Sequence, residues 1–571
     1  MRYRWLSLKP EGDRKPGLGE ATATGRERAP WARAPWLLGG LALAVVAFFD
    51  TTINLPLNDE WLYAWSARQL VAGHGYLKAP DQSPLALTHV LWGVVLTLGH
   101  PDYRLLRLTL LPFALLTAWC VHCLSRRLGA DAFWSGVAAA ATLTWPIFLA
   151  LSSTFMSDAP YTALTMVVAV SGVAWIRDGR GAPAFVVLTG LAFLERQQAV
   201  GLLLAVLLCL WVGRRERRRP AYDRVYAALA VLVIAGLAVG VSLTGLNASA
   251  NSRLLSTLTT LQPQRIAGGV IFLPIMLGFA ALPFMGALWR GEAGALPGEP
   301  AGLTARRWRN RVAFALCVMG MLSAAGLAVF GYNPFPGDYF SSQGLGPTHV
   351  DGVKPNLYPL PIYLLLAAVA TVSGVVIVWR WRDGWMPRRL GREGGFVVAV
   401  AMFQLLPFLQ TSVLDRYYLP VVLPLLPVIA RFATAGGQAA RRWARPWAVV
   451  AMALGLLVFA AGQQDYQAWE GARDAAARLA FATAPPPRVQ AGFEANGVYV
   501  ELPRYEREGL PASQVVDGKD LPSMLGPKNP VLRLVFAGPG AAGPGASWDS
   551  LAPGRIIVIP GSASYGRAQT P

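Results

Sequence analysis

The sequence predicts an all-α polytopic membrane protein, with about thirteen transmembrane helices and a small external C-terminal α/β domain, and three observations predict it. The first is composition: 54% hydrophobic and 15% charged residues, with a mean hydropathy of +0.40, leave a 571-residue chain too little polar surface for a soluble fold. The second is run length. Residues 132–157, 266–288, 355–379 and 394–414 contain no Asp, Glu, Lys or Arg, and roughly 20 apolar residues cross the hydrocarbon core as a helix. The third is where the cations fall. With the N-terminus inside, 32 of the 51 Lys and Arg residues lie in segments assigned to the cytoplasm, 9 in outer loops and 10 in the C-terminal tail, the bias of the positive-inside rule. The net charge of +19 is thus spread over short loops rather than gathered on one soluble face, so no nucleic-acid partner is expected.

Provisional spans run over about residues 36–56, 108–124, 132–157, 159–176, 182–194, 198–213, 225–246, 266–288, 312–331, 355–379, 394–414, 417–432 and 446–463. Charge parity decides two ambiguous places. A break at Glu195 and Arg196 keeps the basic run Arg214 to Arg219 inside, where one long helix over 182–213 would carry it outside. The apolar stretch Pro84 to Gly99 is read as a helix lying on the outer surface, because counting it as a span inverts every later loop. The first outer loop then extends over 57–107, long enough to be a place for function.

Residues 1–35 are basic and Pro/Gly-rich without an early apolar core, and are expected to be a disordered cytoplasmic tail rather than a cleaved signal. The expected transmembrane domain covers 36–463, and the external domain 464–571. Within the latter a helical pattern from Tyr466 to Phe481 precedes β-type runs at Val531 to Phe536 and Arg555 to Ile559. All four cysteines, Cys120, Cys123, Cys209 and Cys317, fall within expected spans. The CxxC of Cys120 and Cys123 therefore reads as small buried hydrophobes.

No phosphate-binding GxxxxGK[ST] loop, GxGxxG after a strand or HExxH is present, and the five histidines are scattered. No nucleotide cofactor is expected, any activated donor is membrane-borne, and a divalent metal is left open. What remains is charge at the outer ends of spans: Asp59 and Glu60 in NLPLNDEWLYAW, Asp158 in FMSDAPYTAL, Glu195 with Arg196, and Asp415 with Arg416. Any one such group is ordinarily solvated. Together they place acids and cations on one side of the bilayer, suited to an anionic lipid headgroup and a hydroxyl acceptor.

At these residues the chain resembles the GT-C glycosyltransferases, in particular glycosyltransferase family 39, the dolichyl-phosphate-mannose protein mannosyltransferases, and the bacterial lipid A aminoarabinose transferases. The resemblance runs from the first span to about residue 433 and rests on features in order. These are the Asp59–Glu60 pair, the Pro-Leu surface element SPLALTHVLWGVVLTLG, Asp158, Arg196 in LERQQAVGLLL, and the run from Arg416 to Pro427. The tail segments DYQAWEGAR and VQAGFEANGVY are similar to those of a bacterial subgroup. One departure stands out: the family's basic residue before the surface-helix Pro is absent from Asp81-Gln82-Ser83-Pro84, and Lys78 is the candidate substitute.

The resemblance implies a GT-C-like fold and an inverting transfer of sugar from a polyprenyl-phosphate donor to an acceptor hydroxyl on a glycan, lipid or protein. It sets the protein among membrane lipids in the bacterial inner membrane, its C-terminal domain extracytoplasmic. Because phosphate is already a good leaving group, the main need is to deprotonate the acceptor. Asp59 is the expected base, Asp158 orients the acceptor or the base, and Glu60 is structural or supporting. Arg196, Lys78, Arg416 and Tyr417 are expected on the donor phosphate, where cations stabilise developing charge. A polytopic lipid or sugar transporter or flippase, and a non-catalytic membrane assembly protein, are the alternatives. A transporter calls for repeats and midplane charges, and an assembly protein needs none of the outer carboxylates.

Overall fold

The computed structural model describes residues 33–79, 82, 84–213, 220–243, 263–290, 333–382, 390–406, 414–434, 438–508 and 530–560. These are mostly helical. In chain order come α1 (Ala34–Asp50), α2 (Glu60–Val71), α3 (Leu87–Leu96), α4 (Tyr103–Leu108), α5 (Leu111–Arg127), α6 (Ala132–Thr144), α7 (Pro146–Ser152), α8 (Asp158–Asp178), α9 (Ala182–Glu195), α10 (Val200–Val212) and α11 (Pro220–Leu243). They are followed by α12 (Pro263–Ala280), α13 (Met285–Arg290), α14 (Leu360–Arg382), α15 (Gly391–Phe403), α16 (Leu419–Val422), α17 (Leu425–Thr434) and α18 (Gln438–Thr483).

Length and hydropathy by themselves make five of the described helices long and apolar enough to cross a membrane, or seven if each of two bent pairs is one span. That is fewer than the thirteen expected. The reason is helix length: α1, α9 and α10 are apolar but no longer than 17 residues. The expected span at 312–331 lies outside the described residues, as do residues 1–32 of the tail and Cys317.

Proline sets the breaks. The run expected as one span over 132–157 bends by 61° between α6 and α7, where Pro146 has no N–H to continue the ladder and its ring excludes the preceding turn. Pro424 stands at the 55° bend between α16 and α17. At Glu195 and Arg196 the chain breaks as expected, with α9 ending at Glu195 and Arg196 extended at φ −144°. The tightest crossing is made by small residues: a side-chain carbon added to Gly278 of α12 would lie 1.8 Å from the Ala370 carbonyl, and one added to Gly374 of α14 would lie 1.8 Å from the Pro274 carbonyl. Two backbones in contact gain packing that larger residues forbid.

Helix α18 carries the chain from the last expected span straight into the C-terminal segment. Beyond it stand strands β3 (Val489–Gln490), β4 (Leu532–Ala537), β5 (Gly545–Trp548) and β6 (Gly554–Pro560) in the order β3-β4-β6-β5, following β1 (Phe340–Ser341) and β2 (Gly344–Leu345) of an earlier hairpin. β3 runs parallel to β4, while β4, β6 and β5 are antiparallel. Period-two alternation divides the sheet's faces: Leu534, Phe536, Ile556 and Val558 pack on Tyr466, Trp469 and Ala476 of α18, while Val535, Ala537 and Ile557 form a second cluster. The same α18 cluster takes in Leu57 from the first loop, so the sheet and the first loop share a core.

Candidate active site

The first loop gives its two adjacent acids opposite fates. Glu60 is fully buried against Arg107, whose Nε lies 2.9 Å and Nη2 2.7 Å from its oxygens. Its carboxylate also accepts from the backbone N–H groups of Leu57 at 2.8 Å and Phe155 at 2.5 Å. All its hydrogen bonding is spent on holding α2, the loop before it and the chain before α8 together, which suits a supporting role. Asp59 precedes α2 but makes no side-chain cap to it. Its Oδ2 instead accepts from Nη1 of Arg416 at 3.0 Å.

Arg416 arrives on a single helical turn, Asp415–Tyr418, that opens the bent pair. It is shared: its Nε lies 3.1 Å from Oδ2 of Asp338, and its guanidinium sits 5.4 Å from the Tyr417 ring centre. Asp338 follows Gly337 in a turn and has φ +141°, a conformation that side-chain-bearing residues rarely adopt, with a cost of about 1–3 kcal/mol. The neighbouring Asp415 holds that turn in place. Its N–H donates to the Gly337 carbonyl at 3.4 Å, and its carboxylate accepts from the N–H groups of Tyr339 at 3.0 Å and Phe340 at 2.7 Å. Burial pushes the Asp338 carboxyl above its ordinary range; Arg416 opposes that shift, while Asp59 and Asp158 add to it.

A second pair stands alongside. Asp158, the first residue of α8, lies 2.8 Å from Nη2 of Arg196, where the helix N-terminus also favours a carboxylate. Arg196 donates to Ser157 Oγ from Nε at 2.9 Å and Nη2 at 2.7 Å, and stands over the Tyr161 ring at 6.0 Å. Tyr63 of α2 reaches the same Ser157 hydroxyl at 3.5 Å. Burial first, and then the charge of Asp59, hold its phenol protonated beyond the usual range. The two pairs also feel each other, since Arg416 interacts electrostatically with Asp158 and Arg196 with Arg416.

The turn carrying Arg196 is locked to the surface element. Ala86 has φ +57° and offers no side-chain cap to α3. The cap comes from α9: Glu195 Oε2 accepts from the His89 N–H at 3.0 Å, Oε1 lies 2.7 Å from His89 Nδ1, and the Glu195 carbonyl accepts from the Ala86 N–H at 3.0 Å.

Of the residues expected in the site, Asp59 and Arg416 form one ion pair, Asp158 and Arg196 the other, with Tyr417 beside Arg416. Lys78 is buried in the loop between α2 and α3, where its neighbours Leu77 and Ala79 pack on Trp61, and it takes no part in either pair. Asp338, Ser157, Tyr63 and Arg107 went unread in the sequence. No local signal in the sequence singled out any of the four, since Arg107 shares its loop with Arg68, Lys78 and Arg104. Among the described residues no three or more His, Cys, Asp or Glu side chains group as metal ligands.

The chain is similar in structure to ArnT. Two solved structures of ArnT from Cupriavidus metallidurans, one in the apo state and one bound to undecaprenyl phosphate, each cover 91% of this chain and 97% of their own, at 16% identity and a TM-score of 0.40. No family model matches the chain, and no curated protein matches it.

Proposed function

We propose that this protein is a membrane glycosyltransferase that moves a sugar from a polyprenyl-phosphate carrier to an acceptor hydroxyl at the extracytoplasmic face of a bacterial inner membrane. The observation that carries the reading is the pairing of two carboxylates, Asp59 and Asp158, with two guanidiniums, Arg416 and Arg196, at the ends of apolar helices. A lipid-borne phosphate needs cations, and a hydroxyl nucleophile needs a base beside them.

In the reaction the acceptor oxygen attacks the anomeric carbon as the bond from that carbon to the phosphate oxygen breaks. The bonding electrons leave with the phosphate, and the acceptor proton passes to Asp59. One displacement inverts the anomeric centre. Arg196 and Arg416, with Tyr417, steady the charge that builds on the phosphate. Asp158 orients Arg196, and Glu60 fixes the helix that presents Asp59. The acceptor is a glycan, lipid or protein; a full set of thirteen spans with a cytoplasmic N-terminus, and an external unit from residue 464, belong to the same reading.

The test is to incubate the purified full chain in sealed lipid vesicles with labelled polyprenyl-phosphate sugars and membrane-derived acceptors, and to follow both label and lipid. Free polyprenyl phosphate should appear in step with label on an acceptor. Label that crosses the bilayer still attached to its lipid, with none released, would instead establish a flippase.

A further inference from the structure

Two carboxylates share the guanidinium of Arg416, and they hold it unequally. Asp59 accepts an aligned hydrogen bond from Nη1. Asp338 lies 3.1 Å from Nε, yet its Oδ2 and that Nε are both buried without an aligned hydrogen bond among the described residues. The weaker partner is also under pressure from its surroundings. Its backbone sits at φ +141°, and the charges of Asp59 and Asp158 face it.

Resting on the reading above, we propose that Asp338 is a tethered stand-in for the donor phosphate: it occupies the Nε edge of Arg416 while the site is empty and gives that edge up when polyprenyl phosphate binds. A guanidinium presents a planar fork that a phosphate matches with two parallel hydrogen bonds. Asp338 meets only one arm of that fork, and meets it out of line. The exchange needs no opening of the loop, because Asp415 pins the backbone on both sides, at Gly337 and at Tyr339 and Phe340. Rotation of the Asp338 side chain is enough. The stand-in keeps a carboxylate at the Nε edge, which Asp59 leaves open, where a bare edge of a buried cation is costly, and the donor's apparent affinity is reduced by the fraction of molecules in which Asp338 holds Arg416.

The experiment measures binding of undecaprenyl phosphate to the purified full chain, with inorganic phosphate in parallel. Asp338→Asn keeps the shape and removes the charge. Asp338→Gly removes the side chain at a backbone conformation that glycine adopts freely, so it folds even if the first variant does not. Both should bind undecaprenyl phosphate tighter, on the order of tenfold, and in an Arg416→Ala background the Asp338 substitutions should change nothing. Folded Asp338→Gly that binds no tighter than wild type overturns the proposal and leaves the glycosyltransferase reading standing. Wild type that binds no polyprenyl phosphate overturns both. A gain confined to inorganic phosphate supports the exchange on Arg416 and counts against the lipid-carrier reading.

Discussion

Asp59 and Glu60 are neighbours of like chemistry, and burial alone separates them. Glu60 has four donors converging on it and nothing left to give a substrate, whereas Asp59 faces Arg416 with its side chain 21% exposed. Asp59→Asn keeps size and most hydrogen bonding but loses basicity, so turnover should fall by roughly 10² or more with donor binding retained. Arg196→Ala should weaken donor capture, and Arg196→Lys should restore part of it, since Lys keeps charge but not the fork. Single-turnover rates and lipid-phosphate affinity on folded protein check both; near-normal turnover in Asp59→Asn removes it as the base. The acids themselves were legible in the sequence as outer-side charges. The resemblance implied their division of labour, Asp59 as base and Glu60 as support; the arginine that each one meets was not legible, because Arg107 stands 47 residues from Glu60 and Arg416 357 residues from Asp59, and no local spacing encodes such pairings.

At the scale of elements, hydropathy marked most helices because that signal is local, but the bends at Pro146 and Pro424 fall inside runs read as single spans. The support of α3 is not local. Its first turn lacks a cap of its own and borrows one from Glu195, 106 residues away, so the residue read as an outer charge is a helix cap beside Arg196. Glu195→Ala leaves the buried His89 N–H without its acceptor, at a cost of about 1–3 kcal/mol. The expected result is a lower melting temperature together with faster hydrogen exchange over Leu87–Leu96 and a weaker hold on donor phosphate. Unchanged exchange in that helix would show that α3 is held by packing alone. The continuous course of α18 through the expected boundary at residue 464 was likewise hidden, since the polar composition beyond Gln463 resembles a domain junction while the helix runs on into the core that it shares with the sheet.

At the scale of the whole molecule, residues 333–358 tie the site to the C-terminal sheet. Asp338 is at Arg416, Lys354 pairs with Asp465 of α18, the Asp351 carbonyl accepts from the Phe536 N–H of β4 at 2.8 Å, and His349 stands 3.6 Å from Glu494. This last contact is pH-sensitive. Burial opposes charge on both partners, but Arg473 and His349 hold Glu494 down to about 2 from an ordinary 4.5, and Glu494 raises His349 above its ordinary 6.5 despite burial. The depressed carboxylate contributes stability that is present above pH 4.5 and lost as pH falls through about 2. The raised imidazole contributes stability that is full below pH 6.5 and lost as pH rises through its higher folded value. Both act together between pH 4.5 and 6.5. Thermal unfolding of the full chain and of His349→Gln, compared from pH 5 to 9 in one detergent, should therefore show the wild type more stable at the acid end, with the gap closing as pH rises past the histidine's folded value. A gap that stays constant across the range would mean that His349 contributes by packing on Phe493, 5.1 Å between ring centres, rather than by its charge.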